Sequence, residues 1–89
     1  MLRMMVVFEV HLAPSADPST ILSAEVQKET QAQVMTLDEA RSVGFGGLPP
    51  APEGAEVRLI ACSQRDAKWI QGLLEKSEAV GGYRVHEVG

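Results

Sequence analysis

The chain has 89 residues, of which 45% are hydrophobic and 22% charged, and its 8 Lys and Arg against 12 Asp and Glu leave a formal charge of -4. This is the composition of one small globular domain spanning residues 1–89, with no internal repeat and no low-complexity tail. The acidic balance and 4% aromatic content argue against nucleic acid as a partner, and the single cysteine, Cys62, excludes an internal disulfide and any zinc site with two or more thiolates.

The longest strongly apolar run, residues 4–8, ends at Glu9. It is too short for a membrane span of about 20 residues or a secretory apolar segment of about 7 to 15, so the expectation is a cytoplasmic protein with no membrane contact. At this length folding hides only about 60% of the chain's surface, which makes a second copy or a protein partner a ready source of added stability.

The first predicted element is a strand over residues 3–12, where Met4, Val6, Phe8, Val10 and Leu12 alternate with Arg3, Met5, Val7, Glu9 and His11. Its second face mixes Met5 and Val7 with charged neighbours, as in a central strand partly covered on both sides. Asp17 before Pro18 is a helix start, since the carboxylate accepts orphan amide bonds and proline suits the first helical position. A helix over residues 18–30 follows, favoured over a hairpin pairing residues 20–26 with 32–37 because Ala24, Glu25, Gln27, Lys28 and Glu29 are helix formers.

Residues 33–36 form a short edge strand ending at Thr36, which with Glu39 makes a capping box for a short helix that stops at Gly44. The segment that opens at Gly44 and closes at Gly54 holds four glycines and three prolines and reads as a loop anchored by Phe45 and Leu48. Residues 56–62 are the next strand, with Val57, Leu59 and Ala61 on one face and Arg58, Ile60 and Cys62 on the other. Ser63 and Asp66 open a helix reaching about Ser77, striped by Ala67, Ile70, Leu73 and Leu74. Gly81 and Gly82 turn into a charged edge strand over residues 83–88.

Strand, helix, short strand, strand, helix, strand is the order of an α+β fold of the ferredoxin-like split βαβ plan (βαββαβ), an antiparallel sheet with two helices on one face. In that plan the first and third strands are central. They are the most apolar here, and the short and the charged strands fall at the edges.

Four groups of residues invite a functional reading. Cys62 ends a strand before a helix start, where amide dipoles favour a thiolate, but the Cys-x5-Arg cradle for phosphate is broken by Lys68, so Cys62 reads as a buried structural cysteine. His11, His86, Glu9 and Cys62 are the only set able to converge on one sheet face as metal ligands or acid-base groups. Their spacing matches no motif, so they read as polar residues of the strand surface, and neither metal nor cofactor is expected. Gly44, Phe45, Gly46 and Gly47 fail the dinucleotide fingerprint at Pro49, and Pro49 with Pro52 forms a Pro-x-x-Pro pattern inside a tethered loop.

The interface candidates are more specific. Trp69 sits about 100° from the centre of its helix stripe, beside Arg65, Gly72 and Lys76, a combination suited to a binding hot spot. The sheet face opposite the helices is expected to present Met5, Val7, Ile60 and Cys62 among Arg3, Glu9, His11 and Arg58. Together these point to a noncatalytic protein interaction or regulatory domain, a homodimer or a protein-docking module, using the sheet face or the Trp69 flank. A small-molecule sensor with its ligand at a dimer interface near residues 44–54 is the alternative, and an enzyme ranks behind both.

Overall fold

The computed structural model describes residues 5–44 and 56–88. Four strands, β1 (Met5–Leu12), β2 (Gln33–Met35), β3 (Val57–Ser63) and β4 (Val80–Val88), form one open antiparallel sheet in the order β2-β3-β1-β4. Three helices, α1 (Ala24–Thr30), α2 (Leu37–Ser42) and α3 (Gln64–Lys76), complete an α+β fold, with a 3-10 turn at Pro18–Thr20. No helix among the described residues is long and apolar enough to cross a membrane.

The alternation in β1 is realised with both faces buried. Val6, Phe8 and Val10 join Ile60 and Cys62 beneath Ile21 and Leu22, which precede α1, and beneath Ile70 and Leu74 of α3. Val7, on the other face, joins Met35, Val57, Leu59 and Ala61 beneath Ala40 of α2, with Leu37 packed at the margin. Because side chains alternate along a strand, two separate cores share one sheet, and the central strands are apolar at nearly every position. Phe8 also meets Tyr83 of β4 edge to face, with ring centroids 6.0 Å apart.

This arrangement corrects the expected open face. The β1–β3 register pairs Val7 with Ala61 and Phe8 with Ile60, and antiparallel partners share a face. Ile60 and Cys62 therefore lie with Phe8 under α1 and α3, fully buried, while Val57, Leu59 and Ala61 take the Val7 face that was expected to hold Ile60 and Cys62. Val7 is also fully buried, leaving Met5 as the exposed apolar residue of that group. Of the helices, α1 and α3 cover one face, the two expected there, and α2 covers the other, which was expected to be open.

Local chemistry explains the element boundaries. Asp17 caps only the 3-10 turn, accepting from the Ser19 amide, because a second cap, Ser23, accepts from the Val26 amide and restarts the chain as α1. The break lets Ile21 and Leu22 both enter the core, which replaces the single helix expected over residues 18–30. Gln31, in the left-handed region at φ 58°, ends α1, and the Thr30 hydroxyl accepts from the Ala32 amide across the turn.

The expected capping box forms: Thr36 accepts from the Glu39 amide, and the Glu39 carboxylate accepts from the Thr36 amide. Gly44 closes α2 at φ +105°, a conformation that suits glycine. At the start of α3, Ser63 donates its hydroxyl to Asp66. The turn before β4 lies at Ser77, whose carbonyl accepts from Val80, so Gly81 and Gly82 belong to the strand and not to the turn. Apart from Gly44, the expected loop of residues 44–54 lies outside the described residues, with Phe45, Leu48 and the Pro49 to Pro52 pattern.

Candidate functional site

Parity brings three of the four dispersed polar residues together. Glu9 and His11 share one face of β1; Val7 pairs with His86 and Glu9 with Arg84 in the β1–β4 register, which puts both β4 side chains on that same face. The Glu9 carboxylate is only 2% exposed and is the centre of the group. His11 Nε2 lies 2.5 Å from Glu9 Oε2, Arg84 Nε 3.2 Å from the same oxygen, and His86 Nε2 3.3 Å from Oε1.

Burial alone would push the Glu9 carboxyl upward in pKa. Hydrogen bonds with His11 and His86 and the charge of Arg84 outweigh it, and the net shift is below the ordinary carboxylate value. Glu9 is thus an anion at neutral pH, able only to accept hydrogen bonds, so each imidazole presents a protonated Nε2 to it. The two Nδ1 atoms and the Nη groups of Arg84 are not spent on Glu9.

Cys62 does not join them. It faces the opposite core, and burial, with the nearby Asp66 carboxylate, pushes its thiol up to about 11. A thiol so placed is protonated at neutral pH and a poor nucleophile. Among the described residues no group of three His, Cys, Asp or Glu side chains is placed to hold a metal ion. The guanidinium already set against Glu9 would also repel a divalent cation there.

Arg84 is the member of the group that sequence reasoning missed. Its signal was present: it lies two residues before His86 on the same strand, hence on the same face.

The Trp69 flank is a separate surface. Gln71 Nε2 donates to the Tyr83 hydroxyl at 2.9 Å, and that hydroxyl donates to Glu75 at 3.2 Å, fastening one flank of α3 to β4. Trp69 is on the opposite flank by helical spacing, 44% exposed. Arg65 and Lys76 are exposed beside it, and a side chain at Gly72 would meet nothing within 4 Å. Arg65 contacts Asp66 at 3.4 Å.

A third surface is the outer edge of β4. In the order β2-β3-β1-β4 this nine-residue strand pairs only with β1 among the described residues. Val85, although on the same face as Phe8, is 48% exposed there. Comparison of the chain with protein-family models, with curated proteins and with solved structures gives no match.

Proposed function

We propose that this chain is a noncatalytic interaction domain that self-associates, with the outer edge of β4, unpaired among the described residues, as its principal contact. The observation that carries the reading is a long edge strand bearing a half-exposed valine. Unpaired strand edges offer a row of backbone donors and acceptors to another strand, and natural proteins usually shorten, cover or charge them. Here β2, the other edge, has three residues, whereas β4 has nine.

A second copy fits this edge by symmetry. Antiparallel pairing about a two-fold axis centred on Val85 sets that side chain against its own counterpart, with Arg84 of each copy opposite His86 of the other and Tyr83 opposite Glu87. The apolar pair at the centre is then flanked by polar ones. The central position of β1 and β3 also supports reading the architecture as a ferredoxin-like split plan with α2 inserted between β2 and β3. The Trp69 flank remains free in this arrangement for a further protein partner.

The test is native mass spectrometry at several concentrations on wild type, Val85→Lys and Trp69→Ala. The reading expects a wild-type dimer, a Val85→Lys monomer of unchanged circular dichroism, and a Trp69→Ala dimer. A wild-type monomer at every concentration overturns self-association. A Trp69→Ala monomer with an intact Val85→Lys dimer moves the contact from β4 to α3.

A second reading, a small-molecule sensor, draws support from the polar side chains that converge on Glu9.

A further inference from the structure

We infer that the Glu9 group is the buried base of an oxyanion-binding site on the α2 face of the sheet, with Arg84 and His86 as its contact residues and His11 beside them. The inference does not rest on self-association.

A carboxylate with 2% exposure in so small a protein needs compensation, and backbone amides or a single ion pair would supply it. Glu9 instead collects three side chains from two strands, each of which it engages through one nitrogen and leaves with another. Arg84 sets its Nε against Glu9 in an ion pair and is half-exposed, so among the described residues both Nη groups remain for a second acceptor. His86 and His11 offer Nε2 and are only partly covered, so among the described residues Nδ1 remains on each, an acceptor while the ring is neutral and a donor once it is protonated. A buried carboxylate that orients donors without exhausting them acts on a ligand site as an outer-shell partner does, fixing ring and guanidinium positions before the ligand arrives.

The charge arithmetic selects the ligand class. With both imidazoles neutral, Arg84 and Glu9 cancel; each imidazole that gains a proton adds a positive charge and an Nδ1 donor. Among the described residues the neighbouring elements add little that opposes this. On this face β3 contributes Val57, Leu59 and Ala61, which carry no charge. Among the charged residues of α2, Asp38 pairs with Arg41, and Glu39 closes its own helix cap. A sulfate, phosphate or carboxylate group is therefore the complementary ligand, one whose paired oxygens match the Nη groups of Arg84.

Sulfate is the first probe, since its charge is constant through the range where histidine titrates, and acetate is the second, as a planar carboxylate. The readout is the imidazole and arginine side-chain nitrogen resonances during titration at constant ionic strength, on wild type, Arg84→Gln and the control Arg65→Gln. Saturable shifts of His86 and Arg84, weakened about tenfold by Arg84→Gln and unchanged by Arg65→Gln, support the site. The anion that saturates distinguishes a tetrahedral ligand from a carboxylate. Non-saturating shifts with both anions, or equal weakening by both substitutions, overturn it.

Discussion

Glu9 and His86 stand 77 residues apart in sequence and meet at 3.3 Å because β1 and β4 lie side by side with matched parity. The same parity brings in Arg84, and His11 closes the group from β1.

That group makes stability depend on acid. The folded-state pKa of Glu9 lies below its ordinary value, so its contribution is fully present above the unfolded carboxylate pKa and is lost as pH falls through the folded one. Urea midpoints should therefore decline on acidification into and below the ordinary carboxylate range, with a shallower decline in Glu9→Gln. At neutral pH Glu9→Gln should cost about 3 kcal/mol, since it removes one partner of a buried charged network. Parallel curves for the two proteins would contradict the role given to Glu9.

Ile60 supplies a direct check on the register. Its place among Phe8, Ile70 and Leu74 predicts that Ile60→Ala costs about 2 to 5 kcal/mol by chemical denaturation. A loss below about 0.5 kcal/mol would return Ile60 to the surface.

The capping box is testable in the same way. Thr36→Ala removes the acceptor for the Glu39 amide and should destabilise the protein by about 1 kcal/mol. Hydrogen exchange should speed first in α2, which covers Val57, Leu59 and Ala61.

Cys62 should resist modification. Buried and with a thiol pushed up to about 11, it should react slowly with iodoacetamide at neutral pH and rapidly once urea unfolds the chain. Equal rates in the two states would show that the thiol is accessible.

Much of the fold was legible because short-range chemistry decided it. The alternation of β1, the Thr36–Glu39 cap, the stripe of α3 and the central place of β1 and β3 all follow from local pattern. The face of β3 was not legible, because Val57, Leu59 and Ala61 are as apolar as Ile60 and Cys62, and only the register against β1 decides between them. With α2 on the second face both sets are core, so polarity could not rank them. The break before α1 is hidden in the sequence because two caps, Asp17 and Ser23, stand six residues apart and a helix started at the first reads straight through the second. Of the polar set, Glu9, His11 and His86 converge, and Cys62 fails for the same reason as Ile60.

Self-association through β4 is tested most directly by Val85→Cys. Residues facing each other across a two-fold antiparallel pair have Cα atoms about 4.5 to 5.5 Å apart, within disulfide range, and Cys62 is buried and will not compete. Mild oxidation of the variant should give a covalent dimer on a non-reducing gel, in a yield that does not fall on dilution within the dimer's stable range. A variant that stays monomeric while its introduced thiol alkylates freely would contradict pairing of β4 with its own copy.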